Sequence, residues 1–228
     1  MALSTLQKNI VNISNKCESL FLLSLDWGRP KDPPMSLGHS SILTHLQKRG
    51  VSVISSTWST NSPNFSINPI LDDIFMASSE NENMDIGLGM FVWNDSPMKK
   101  IMKELKMSNM FSGRIILGGS QISYTKSEIE NFYPHADVFI RGYAEEALAR
   151  IMLAEEKTPV IRGVHYAGEP DLGMSAIADL RELPSPYLHG TIKPQPFLRW
   201  ETQRGCPFSC GFCQHRESDI SKTRRPLD

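Results

Sequence analysis

Three cysteines crowd into eight residues near the end of the chain, in the run Cys206-Pro-Phe-Ser-Cys210-Gly-Phe-Cys213. Thiolates at offsets of four and three residues, on a loop that also holds Gly205, Pro207 and Gly211, can converge on one metal centre. Three ligands leave a four-iron four-sulfur cluster with one iron uncapped, open to a chelating ligand from outside. A structural zinc would need a fourth ligand, which His215 or the distant Cys17 would have to supply. A ferredoxin-type cluster would need a fourth cysteine, and the run has none. Three inert, buried cysteines are the plain alternative. The spacing favours the cluster, with His215 beside the site or exposed rather than a ligand.

Cysteine usage also bears on the compartment. The chain has four cysteines, and a secreted disulfide framework would spread them rather than gather three. Met1–Lys16 lacks the apolar stretch of a secretory signal, and no run approaches the ~20 apolar residues of a membrane span. The expected setting is cytoplasmic and reducing, with no membrane partner. The sequons at Asn12 and Asn64 then carry little meaning. A net charge of -1 gives no global field for nucleic acid. Arg216, Lys222, Arg224 and Arg225 read as a solvated basic end rather than a phosphate site. With 228 residues, 40% hydrophobic and 21% charged, the chain can build one sizeable core and part of a second unit.

The elements ahead of the cysteines alternate between strand-like and helix-like runs, the pattern of an α/β doubly wound parallel sheet. Strands are expected at Ser19–Trp27, Val51–Trp58, Asp85–Trp93, Gly113–Leu117 and Ala136–Arg141. Helices are expected at Ser36–Arg49, Asn68–Ser79, Met98–Leu105 with Asp95 or Ser96 as cap, Lys126–Tyr133 and Ala144–Glu156. Ligands of such sheets bind beyond the carboxyl ends of the strands. The loops there are Trp27–Gly38, Trp93–Asp95, Gly118–Ser123 and Gly142–Glu145. Gly118 and Gly119 would let backbone approach a ligand, although a Gly-Gly after a strand also serves as a plain turn. Trp27, Trp58 and Trp93 end predicted strands and could line the crevice or close the core.

The texture changes after Glu156. Pro159–Ala167 suggests a small hairpin strand. Pro170, Pro184, Pro186, Pro194 and Pro196 then mark a semi-stiff linker, because proline removes ladder donors and fixes φ. Phe197–Gln203 resumes as a possible strand. The expected organisation is an N-terminal extension at 1–18, a Rossmann-like domain at 19–156, a linker at 157–196 and a cysteine-bearing segment at 197–228.

The cysteine run, with Phe212 just before its last member, resembles the signature of the radical S-adenosylmethionine proteins. Glu201-Thr-Gln-Arg-Gly-Cys206-Pro resembles the approach to it in members that carry an N-terminal cobalamin-binding-type domain, and Glu182-Leu-Pro-Ser-Pro-Tyr187 the linker before it. Met35-Ser-Leu-Gly38, Gly118-Gly119-Ser120 and Arg141-Gly142 with Glu145-Glu146 resemble stretches of that domain.

The resemblance implies that Cys206, Cys210 and Cys213 hold a [4Fe-4S] cluster fed by an external electron donor. The cluster would reduce S-adenosylmethionine and start radical chemistry on an unknown substrate, with methyl transfer one outcome. Phe212, Gly118, Gly119, Ser120 and Gly142 are the implied cofactor contacts. Cobalamin is a possible further cofactor. Domains of this type that give cobalt a histidine use Asp-x-His-x-x-Gly after the first strand. Here that place reads Asp26-Trp27-Gly28-Arg29-Pro30-Lys31, so any cobalamin would lack that ligand. His39 is expected on the surface of its helix. Only about 15 residues follow Cys213, so the chain is expected to supply only the first strand and cysteine loop of a partial (β/α) barrel. The chain alone is therefore expected to turn over poorly, and a non-catalytic cobalamin- or iron–sulfur-binding module is the rival reading.

Overall fold

The structure is a computed structural model. It describes residues 19–29, 32–33, 35–125, 127–193, 198–206, 208 and 210–213, and the backbone of 223–224. The 1–18 extension, Cys17, Lys31, His215, Arg216, Lys222 and Arg225 lie outside the described residues.

Five parallel strands follow one another with helices between them: β1 (Leu20–Asp26), β2 (Val53–Ser59), β3 (Asp85–Gly89), β4 (Ile115–Gly118) and β5 (Val138–Ile140). A sixth, β6 (Val164–Tyr166), runs antiparallel beside β5, which gives the order β2-β1-β3-β4-β5-β6. The order reverses between β1 and β3, so the crevice of this Rossmann-like sheet opens there. Helices α1 (Leu37–Lys48) and α6 (Ala144–Leu153) cover one face. Helices α2 (Asn68–Glu80) and α3 (Asp95–Met107), with the short α4 (Ser120–Tyr124) and α5 (Ile129–Phe132), cover the other.

Period-two alternation sorts the strand side chains between these faces. Phe21, Leu23, Leu25, Ile86, Leu88, Ile115, Leu117 and Phe139 pack with α2 to α5. Leu20, Leu22, Ile116, Val138 and Ile140 pack with α1 and α6. Both faces are apolar because both are covered, as in other parallel sheets. At the far edge of the core, Asp85 accepts from Arg114 (Nη2–Oδ2 2.6 Å) and from its backbone N–H, which ties the start of β3 to β4.

Some expectations shift. β3 stops at Gly89, so Trp93 belongs to a turn ahead of α3 rather than to a strand end. The cap of α3 is Asn94, not Asp95 or Ser96. Its side chain is buried and spent elsewhere: Nδ2 donates to the carbonyls of Leu25 (3.0 Å) and Gly89 (2.9 Å), and Oδ1 accepts from Phe91 N–H (2.8 Å). Asn94 thus latches β1 to β3 at the reversal. Of the helix expected at Lys126–Tyr133 the described residues form α5, while α4 lies ahead of it, and Gln203, the last residue of the strand expected at Phe197–Gln203, opens β7 (Gln203–Arg204), paired with β8 (Thr223–Arg224).

The proline-rich stretch packs against the domain. Ile161, Ala176, Ala178, Leu180, Leu183 and Ile192 are buried, and Ala176 bridges to Gly142. Proline stiffens this chain without freeing it, because apolar side chains between the prolines reach α1, α6 and Tyr143. Leu180→Ala should cost about 2–5 kcal/mol of unfolding free energy in a denaturant titration, where a detached linker would show no change. No helix among the described residues is long and apolar enough to cross a membrane.

Candidate functional site

A cavity of about 590 Å³ opens at the β1/β3 reversal and runs between the sheet and helices α1 and α6. Its depth comes from missing side chains. Gly87 pairs with Leu22 and Ile116, so it lies on the α1/α6 face, and Gly89 and Gly118 follow at the next alternate positions. Where neighbouring strands place Leu or Ile, these three positions place nothing, and the space is left open above Leu22, Ile116 and Ile140. The opposite wall is Ile42, Ala144 and Leu148 of the two helices.

The mouth is aromatic and partly charged. The rings of Phe91 and Trp93 stack at 4.8 Å, and Trp93 Nε1 donates to Leu25 carbonyl (3.0 Å). Trp27 stands beside them, exposed. Asn61 holds the turn after β1 by bonding both Gly28 N–H (2.9 Å) and Gly28 carbonyl (2.7 Å). Asp32 pairs with Arg199 at 2.5 Å, which brings residue 199 to the rim. Burial pushes the Asp26 carboxyl above its usual range, and hydrogen bonds from Ser24 and Ser36 and the charge of Arg199 partly oppose this.

His39 is a correction. It is not on the helix surface: it is buried on α1, lines the cavity, and sets Nε2 2.8 Å from Ser55 Oγ of β2. Burial holds its imidazole down at about 4, from an ordinary 6.5. The sign follows. Above pH 6.5 the ring is neutral folded and unfolded, and no stability is lost. As pH falls from 6.5 towards 4, the unfolded chain takes the proton first and stability drops, by up to about 3 kcal/mol. Denaturant unfolding of His39→Gln should lose that part of the pH dependence.

Of the sequence-derived contacts, Gly118 and Gly119 line the cavity. Gly119 has φ +94°, and a Cβ there would meet Met90 carbonyl oxygen at 2.6 Å, so the crossing of these two loops demands glycine. Ser120 opens α4, and Gly142 (φ +81°) packs on Ala176; neither lines the cavity. Trp27 and Trp93 line it, while Trp58 packs into the α2/α3 core. Gly87, Gly89 and Asn94 are additions. The signal for the glycines is the alternation in Asp85-Ile-Gly87-Leu-Gly89, which puts both on one face.

The cysteine loop leaves β7 beside this domain. Cys206 and Cys210 are exposed, Cys213 is half-buried, and none is in a disulfide. Cys213 N–H donates to Cys210 carbonyl at 3.0 Å, closing a turn. Tyr124, at the end of α4, is pushed up by burial and by the charge of Cys213, which sets that cysteine near the sheet domain. Phe212 is 94% exposed. Three free thiols on an accessible loop are a donor set that fits iron. Among the described residues no three His, Cys, Asp or Glu side chains gather as a metal site, so ligation requires the loop to close around the metal.

No family model matches the chain. It is 26% identical over 190 residues to the cobalamin-dependent radical SAM methyltransferase TokK of Streptomyces tokunonensis, covering 75% of this chain and 27% of that protein. It is 27% identical over 158 residues to the 2-(S-pantetheinyl)-carbapenam-3-carboxylate methyltransferase of Streptantibioticus cattleyicolor, covering 61% and 23%. The chain therefore spans about a quarter of the length of the curated relatives it matches. Its fold matches the cobalamin-dependent S-adenosylmethionine radical enzyme OxsB in the form with aqua-cobalamin and S-adenosylmethionine bound: TM-score 0.64, 20% identity, 85% of this chain and 28% of that one. The apo form of OxsB gives a TM-score of 0.66 at 20% identity, over 90% and 29%. In sequence the chain is similar to a cobalamin-dependent radical SAM methyltransferase, and in fold to a cobalamin-dependent S-adenosylmethionine radical enzyme.

Proposed function

We propose that the sheet domain binds cobalamin and that the adjoining loop holds a four-iron cluster through Cys206, Cys210 and Cys213. In the whole protein the two would serve a radical S-adenosylmethionine reaction, with methyl transfer to a substrate as its outcome. The observation that carries the reading is the glycine-opened cavity at the strand reversal. Cobalamin is a broad macrocycle with a slender nucleotide arm ending in an aromatic base. A narrow apolar cavity of about 590 Å³ suits the arm, not the ring.

The residues divide by that shape. Gly87, Gly89 and Gly118 would give the arm its room, with Leu22, Ile116, Ile140 and Leu148 around it. Neutral His39 and the hydroxyls of Ser24 and Ser36 would offer the arm hydrogen bonds. Phe91, Trp93 and Trp27 would meet the ring at the mouth. The described turn after β1 offers cobalt no histidine, as its sequence already implied. Phe212, exposed beside Cys213, offers an apolar face to S-adenosylmethionine. When bound, the cluster supplies the electron that opens S-adenosylmethionine, drawn from an external donor, and cobalamin supplies a carrier for a one-carbon group.

The test is paired loading. The chain is reconstituted without oxygen with iron, sulfide and cobalamin, passed through gel filtration and assayed for metals. About four iron and one cobalt per chain are expected. Zinc in place of iron, or cobalt lost on the column, would overturn the corresponding half of the reading.

A further inference from the structure

Glu145 sits in the first turn of α6, where a carboxylate suits the helix dipole, but it points inward and is 3% exposed. Its partner comes from outside the sheet domain. Arg204 Nη2 lies 2.6 Å from Glu145 Oε1, and Ser41 Oγ of α1 donates to the same oxygen at 3.0 Å. The guanidinium is mostly covered, with the side chain 11% exposed. It lies over the Tyr143 ring, 5.0 Å from the centroid, and its Nε and Nη2 donate to Glu201 at 2.8 and 3.0 Å. The Arg204 charge holds the Glu145 carboxyl below its usual range despite the cost of burying it.

Position gives this pair its meaning. Arg204 is two residues from Cys206, and it pairs with Thr223 across β7 and β8, so it stands at the base of the loop that carries all three cysteines. The pair joins that base to α1 and α6, the two helices that wall the cavity. A second tie, Asp32–Arg199 with Tyr187 Oη bonded to Arg199 N–H and carbonyl, holds the preceding residues at the cavity rim. The sheet core needs neither member: α6 already carries Glu146 for its dipole, and the helix faces are packed by aliphatic side chains.

We propose that Glu145 is a positioning residue: its buried pairing with Arg204 sets where the cysteine loop stands relative to the cavity. The inference rests on the proposed cluster for its purpose, but the clamp can be tested without it. Removing one member of a buried pair leaves the other charge uncompensated, whereas removing both does not. The clamp therefore predicts non-additive effects.

The experiment uses the full chain as wild type, Glu145→Gln, Arg204→Gln and the double variant. The first readout is the rate at which trypsin cuts after Arg199 in native, iron-free chain. It should rise about 10-fold in each single variant and return towards wild type in the double. Unchanged rates in the singles, or effects that add in the double, would overturn the proposal. If both singles lose their far-UV circular dichroism, the pair is a folding element and the proposal also falls. The second readout is visible circular dichroism after iron–sulfide reconstitution, which senses the surroundings of the cluster. The singles should take up iron yet show an altered spectrum, and the double a restored one. Singles whose reconstituted spectra match wild type would mean that the pair does not place the loop. A wild-type chain that takes up no iron would sink the cluster reading, and the trypsin result would still decide the clamp.

Discussion

Replacing any one of Cys206, Cys210 and Cys213 with alanine is expected to abolish cluster formation on anaerobic reconstitution, while Cys17→Ala leaves it intact. The wild-type chain should turn brown, with broad thiolate-to-iron absorption. Each of the three variants should hold less than about one iron where the parent holds about four. The effect is expected to be large because each cysteine would hold its own iron. Among the described residues no three His, Cys, Asp or Glu side chains gather as a ready replacement site, and a cluster held by three cysteines would have no spare protein ligand. Two thiolates cannot retain a cluster against competing thiols in solution, so loss is expected to be all-or-none rather than graded. Iron retained at the parent level in any one variant would mean that another residue completes the ligand set.

The second large effect concerns the cavity. Gly118→Val should abolish cobalamin binding, raising the dissociation constant about 100-fold or more, without unfolding the domain. A Cβ at residue 118 would meet Ala144 Cβ and Ile140 carbonyl oxygen at 3.9 Å each, which is ordinary contact. Valine favours strand backbone, so stability should hold within about 1 kcal/mol. Its methyl groups, however, enter the space that Gly118 leaves between the sheet and α6. Gly119→Ala makes the contrast. There the added carbon would strike Met90 at 2.6 Å with φ +94°, so that variant should lose stability first and binding only as a consequence. Chemical denaturation and visible-absorption titration of the two variants separate these outcomes.

The strands and helices of the sheet were legible in the sequence because hydrophobic period and stop signals are local. Ser19–Trp27 and Asn68–Ser79 differ from β1 and α2 by a residue or two. The cysteine run could be read as candidate cluster chemistry for the same reason, since its three proposed ligands lie within eight residues. What escaped depends on register between distant segments. The cavity arises because Gly87 falls opposite Leu22 and Ile116, and Gly89 opposite Gly118. His39 looked like a surface residue until α1 met β2 and set it against Ser55. Asp95 or Ser96 looked like the cap of α3, but Asn94 takes that place and its amide serves Leu25, 69 residues away. The proline-rich stretch misled in the other direction. Proline content reports stiffness, and the burial of Leu180 and Leu183 is set by irregularly spaced residues that no period reveals.

The central claim is that the cavity at the β1/β3 reversal takes the nucleotide arm of cobalamin. Cobinamide, which keeps the corrin ring but lacks that arm, tests it most directly. The two compounds are titrated separately into the iron-free chain and followed by visible absorption and equilibrium dialysis. Cobalamin should bind at least about 100-fold more tightly than cobinamide, because burying the aromatic arm in an apolar cavity supplies most of the affinity. Equal affinity for the two, or no binding of cobalamin at all, would contradict the account.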